Sequence, residues 1–182
     1  KLNEKGARLL FKFSELSEEH LALFVENLNW LLFDLPTVDC TYRLFLGVFR
    51  HAAHRDVVGM SDQFATFLVH ITSSGQPYYL SVIPSLLRRY RLDKAYAHRL
   101  EEAGFFREYF QKAIEMNDPE VNMKAAILLD QMARIFFSSD LLLFIPRLRE
   151  MASIGGQAEI AIGCATSLSY FQNFKESLVK CG

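Results

Sequence analysis

Helix starts recur along this 182-residue chain at nearly constant spacing. Apolar residues follow helical periodicity, and the second helix of each of four pairs begins near Pro36, Pro77, Pro119 and Gln157. The intervals are 41, 42 and 38 residues. A period between about 20 and 50 residues signals supersecondary units that cannot bury an apolar face alone and so stack on their neighbours. The expected pairs are 17–32 with 37–53, 60–73 with 77–91, 105–116 with 119–137, and 140–152 with 158–173. Side chains repeat along with the turns. A shift of 39 lays Ala126, Leu129, Met132 and Ile135 on Ala165, Leu168, Phe171 and Phe174. A shift of 38 lays Phe105, Phe106 and Phe110 on Leu143, Phe144 and Leu148. The one-residue difference fits an insertion in the connecting turn. The alternative is a nonrepeating helical bundle.

Local signals place the helices. Sustained period-two alternation with β-branched enrichment is nearly absent. Ser17 is an N-cap, followed by Glu18 and Glu19 at the positive end of the helix dipole. Ser74-Gly75-Gln76-Pro77 is a turn, and Pro84 predicts a kink in a helix from Tyr78 to about Tyr90. Asp93 caps the segment Lys94 to Ala103, which Gly104 closes. In Asn117-Asp118-Pro119-Glu120, Asp118 caps, Pro119 takes the first helical position and Glu120 meets the dipole. That helix is expected to reach about Phe137, where Ser138 and Ser139 break it. Asp140 to Met151 forms another with Pro146 inside, and a last helix covers Ala158 to about Asn173. The first fifteen residues add a frayed helix.

Composition limits what such a chain can be. With 51% apolar and 23% charged residues it has enough surface to bury against the entropy of ordering. Its length suits a single domain over 1–182. Mean hydropathy is only +0.09, and the run Ile127 to Ile135 is broken by Asp130, Gln131 and Arg134, so no membrane insertion is expected. Twenty basic residues against 21 acidic ones give no global field for a polyanion, so nucleic acid is not the default partner. Cys40, Cys164 and Cys181 lie far apart, which argues against a disulfide framework or zinc finger and for a reducing compartment, cytoplasmic or nuclear. The chain opens Lys1-Leu2-Asn3-Glu4, without Met or a secretory signal. It reads as a segment of a longer protein, although a processed amino terminus would look the same.

Residues 97–133 resemble a known family. Ala97-His98-Arg99-Leu100-Glu101-Glu102-Ala103-Gly104-Phe105-Phe106 looks like the first helix and glycine of an armadillo repeat. Asn117-Asp118-Pro119-Glu120-Val121 and Ala125-Ala126-Ile127-Leu128-Leu129 are similar to its second turn and third helix. The match is good over this unit, moderate over 140–173 and weak over the first ninety residues, and the two-helix HEAT repeat fits the weaker units about as well. The resemblance implies an all-α, right-handed α-solenoid of about four hairpins that binds extended peptides or protein surfaces along its concave third helices. In peptide-binding armadillo proteins a Trp and an Asn recur where this chain has Ile127 and Gln131, then Thr166 and Tyr170. The sole tryptophan, Trp30, lies on another helix, so a basic import signal is not the expected ligand.

The helix at 119–137 sorts into two faces. Val121, Ala125, Leu128, Leu129, Met132, Ile135 and Phe136 form the expected core stripe. Glu120, Lys124, Ile127, Gln131 and Arg134 form a mixed stripe at spacings of three and four. Carried by the repeat interval, this stripe gives three ladders: Val48, Arg89, Gln131 and Tyr170; Leu44, Ser85, Ile127 and Thr166; His51, Leu92, Arg134 and Asn173. The expected partner contacts are Arg89, Lys124, Ile127, Gln131, Arg134, Thr166, Tyr170 and Asn173.

Other constellations carry less chemistry. His51 and His54, with Asp56, stand one turn apart, but a metal needs further ligands and none has zinc-site spacing. Cys164 sits in the small-residue run Ile162-Gly163-Cys164-Ala165, which suits close helix packing better than a thiolate. Arg88, Arg89, Arg91 and Lys94, near Tyr90, His98 and Arg99, form the only dense basic cluster, and cations are also favoured at a helix C-terminus. The expectation is therefore a non-catalytic interaction module without metal or cofactor, binding another protein or peptide. Apolar repeat ends, including Leu9, Leu10, Phe11 and Phe13, are surfaces through which two copies could pair. The alternatives are a nucleic-acid or phosphate-binding module using the basic cluster, and a metal-dependent enzyme using His51 and His54.

Overall fold

The structure is a computed structural model that describes residues 62–89 and 93–181, together with Lys12, Ser17, Glu19 and His20. Among the described residues the fold is all-α, with no strand. Helix α1 spans Asp62–Ser73, α2 Pro77–Arg89, α3 Lys94–Glu102, α4 Phe105–Met116 and α5 Pro119–Ala133. A 3-10 segment, Ser139–Phe144, leads into α6 (Ile145–Ala152), followed by α7 (Ala158–Leu168) and α8 (Gln172–Cys181). The chain forms two compact units, Lys1–Phe67 and Leu68–Gly182. Of the first unit, the opening half of α1 is described besides those four residues, with Phe64 and Phe67 buried. Ser17 Oγ accepts from the His20 amide at 3.2 Å, the geometry of the expected cap. The rest of the pairing 17–32 with 37–53 lies outside the described residues, as do Leu9, Leu10, Phe11 and Phe13.

In the second unit, caps account for where helices begin. Asp93 accepts from the Tyr96 amide at 2.8 Å, and Asp118 from the Val121 amide at 3.0 Å, each satisfying a donor that the first helical turn leaves open. Gly104 joins α3 to α4 at φ +75°, a backbone region nearly closed to residues with a Cβ. Asn117 takes the same left-handed region at φ 51° between α4 and α5, which a short amide tolerates.

α2 packs against α5, and α5 against α7. α4 lies on α5 and on the 3-10 segment, while α6 and α8 pack on α7. Aromatic rings fill the space between these elements. Phe105, Phe106, Tyr109 and Phe110 of α4 are all fully buried. Phe110 meets Phe144 at 5.5 Å between ring centroids, and Phe106 meets Phe136 at 6.0 Å. Burial of each such ring contributes about 1.5–3 kcal/mol.

α2 runs as one helix through Pro84. Proline has no amide hydrogen, so the Leu80 carbonyl one turn earlier loses its helical donor. The buried Tyr109 hydroxyl supplies one instead, donating to the Leu80 carbonyl oxygen at 2.8 Å. Burial pushes the Tyr109 phenol far up, so it stays a donor at any ordinary pH.

Three helix ends differ from expectation. α5 stops at Ala133 rather than near Phe137, because the chain turns at Met132 to bury Phe136 against Phe106 and the edge of His98. The expected helix at 140–151 is a 3-10 turn followed by α6, which sets Pro146 in a first turn where its missing amide costs nothing. The last expected helix, to about Asn173, ends at Leu168, and a separate helix α8 follows. Ser169 Oγ donates to the Thr166 carbonyl at 2.7 Å, competing with the helical ladder. The turn then lets Phe174 bury against Phe137 at 5.3 Å.

Candidate functional site

The faces of α5 follow from its sequence. Val121, Ala125, Leu128, Leu129 and Met132 are buried, as is Phe136 beyond the helix end, while Ile135 is half-buried. The mixed stripe reaches the surface. Glu120 and Arg134 are exposed, and Lys124, Ile127 and Gln131 are half-buried. The Gln131 Oε1 atom is buried with no hydrogen-bond donor among the described residues.

Arg134 is not a free cation. Its Nε lies 3.2 Å from Asp130 Oδ2 and its Nη2 3.1 Å from Asp130 Oδ1, a two-pronged pair one helical turn apart. The same Nη2 donates to Ser167 Oγ of α7 at 2.8 Å. Asp130 thus cancels the charge locally, and Arg134 bridges α5 to α7 instead of standing ready for an anion.

On α7, Thr166 is exposed, and beyond its end Tyr170 is 82% exposed and Asn173 exposed. Because α7 stops at Leu168, Tyr170 and Asn173 do not continue the helical register that the ladders assumed. Only the rung from Ile127 to Thr166 joins residues that both lie within helices α5 and α7. Ser85 of α2 is exposed, and Arg89 is the last residue of α2, with its side chain outside the described residues. Val48, Leu44, His51 and Leu92 lie outside them altogether. Where α5 and α7 touch, Cys164 Sγ donates to the Ala126 carbonyl at 3.3 Å. Burial, aided by the Asp130 carboxylate, pushes this thiol up to about 12, so at neutral pH it is a packing group and not a nucleophile.

Arg88 and Lys94 of the basic cluster are exposed, and Arg91 lies outside the described residues. His98 is held edge-on by Phe136 at 4.8 Å and stands 3.6 Å from Glu101. Among the described residues no group of three or more His, Cys, Asp or Glu is placed to hold a metal; His51, His54 and Asp56 lie outside them. No helix among the described residues is long and apolar enough to cross a membrane.

A second feature was not evident from residue spacing. α8 packs on α6 and α7, and the three helices line an open groove of about 460 Å³. Ile145 and Leu148 of α6, Ala161, Ile162 and Ala165 of α7 and Leu178 of α8 line it. Arg149, Thr166 and Ser169 supply its polar edge, and no carboxylate lines it. The available signal was the apolar sequence after Tyr170, in which Phe174 and Leu178 keep helical spacing past the serine-rich break.

Compared with protein-family models, with curated proteins and with solved structures, the chain matches none.

Proposed function

We propose that this chain is an α-solenoid of armadillo-like or HEAT-like hairpins that serves as a non-catalytic docking module. It holds a partner protein or peptide on the face built by α5 and α7. The observation that carries this reading is the order of packing. α2, α5 and α7, the second helices of three successive expected pairs, lie side by side in sequence order. A stack of that kind buries one face of each hairpin on its neighbour and leaves an ordered row of side chains for recognition. Burial at several repeat-related positions supports it: Leu129 and Leu168 are both buried, as are Phe106 and Phe144, and Phe110 and Leu148. The equivalence fails at the other aligned positions: Phe105, Ala126 and Met132 are buried where Leu143 is exposed and Ala165 and Phe171 are half-buried, and Ile135 is half-buried where Phe174 is buried.

Lys124, Ile127 and Tyr170 are the residues of this face on which binding is expected to depend. Arg134 contributes by fixing α5 against α7. The test is recovery of partner proteins by the whole chain and by a Lys124→Glu, Tyr170→Ala double variant whose circular dichroism matches the parent. At least tenfold lower recovery supports the reading, and unchanged recovery rejects it.

A further inference from the structure

We infer that the groove between α6, α7 and α8 is a docking site for an acidic amphipathic helix of a partner protein. The inference rests on the reading of this chain as an interaction module and adds the chemistry of what docks. The floor is apolar and closed, since Ile145, Leu148 and Ala161 are buried. Its rim is uncovered: Ile162 is 55% exposed beside the half-buried Leu178. The groove is open to solvent, which suits the ridge of a helix presenting apolar residues at i, i+4 and i+7 better than a small molecule that must be enclosed.

Charge decides the sign of the occupant. Arg149 is exposed and is the only ionisable side chain in the lining. Its neighbour Glu150 lies outside the groove lining, beside Arg149 in an adjoining hollow, and pairs with the Arg147 guanidinium. Ser169 spends its hydroxyl on the Thr166 carbonyl, leaving the Thr166 hydroxyl and the Arg149 fork as the polar groups facing an incoming segment. A carboxylate on the flank of the docked helix would complete a charge-assisted pair with Arg149. A second copy of this chain is a poor occupant, because a two-fold contact sets the same patch against itself, and that patch offers no carboxylate to pair with Arg149.

The test uses the full chain and two synthetic helical peptides. Both carry leucine at i, i+4 and i+7; one has glutamate at the flanking positions and the other lysine. Titration calorimetry should show the glutamate peptide binding at least about tenfold tighter than the lysine peptide. Arg149→Glu should reverse that order, and Ile162→Asp should abolish both interactions without changing the melting temperature. Equal affinities, an unchanged order in Arg149→Glu, or no binding by the glutamate peptide would overturn the inference. If Lys124 and Tyr170 prove necessary for partner recovery while the groove variants behave as the parent, the module reading stands and the groove assignment falls. If neither face matters, both fall.

Discussion

Tyr109 donates its hydroxyl hydrogen to Leu80 in place of the amide that Pro84 lacks, at a distance of 2.8 Å. One helix thereby repairs the broken ladder of another. Tyr109→Phe leaves that buried carbonyl one donor short and is expected to cost about 1–3 kcal/mol in chemical denaturation. Pro84→Ala restores a local donor. In that background the same Tyr109→Phe change should cost less, with a coupling of at least about 0.5 kcal/mol across the double-mutant cycle. Strict additivity would remove the assigned role.

Gly104 is expected to resist even the smallest side chain. A Cβ built there meets nothing within 4 Å, so crowding does not contribute. The penalty is conformational, set by φ +75°, and Gly104→Ala should cost about 1–2 kcal/mol. Thermal melting of the variant checks this, and an unchanged midpoint would contradict the left-handed assignment.

The Cys164 thiol gives the fold an alkaline limit. The folded protein holds this proton more tightly than an unfolded chain does, since burial raises the thiol from an ordinary 9.0 to about 12. The resulting stabilisation is complete below about pH 9 and is lost as pH rises towards 12; three units correspond to on the order of 4 kcal/mol. The stability advantage of the parent over Cys164→Ala should therefore shrink through that range, as followed by melting midpoints. At neutral pH a thiol reagent should count equal numbers of reactive cysteines in both folded proteins, and one more in the denatured parent than in the denatured variant.

α8 docks through Phe174, which is 1% exposed, whereas Val179 on the same helix is 75% exposed. Phe174→Ala should cost about 3–5 kcal/mol. Val179→Ala should stay within about 0.5 kcal/mol of the parent. Similar effects at the two positions would mean that α8 does not pack as described.

Helix beginnings were readable from the chain because their causes are local. Asp93, Asp118, Pro119 and Gly104 each act within a turn or so of their own position. The ends of α5 and α7 were not, nor was the start of α8. α5 and α7 stop where a more distant residue, Phe136 or Phe174, gains a buried site by turning away, and no local pattern records that gain. The same limit divides the candidate sites. The mixed stripe on α5 was visible as a spacing of three and four, but its charge state was not, since Asp130 lies outside the stripe and still neutralises Arg134. The groove at Arg149 needs the packing of three helices, so it could not be seen while α7 and α8 were read as one.

Six polar contacts that tie helices of the second unit together among the described residues join positions 29 to 38 apart. Each such link closes a loop about one hairpin long instead of one spanning the chain, which limits the entropy lost in forming it. During translation, each of these links can close once roughly one further hairpin has left the ribosome, without waiting for the carboxyl end. The exception is the groove that α8 lines, which forms only when Leu178 arrives, after those links can have closed.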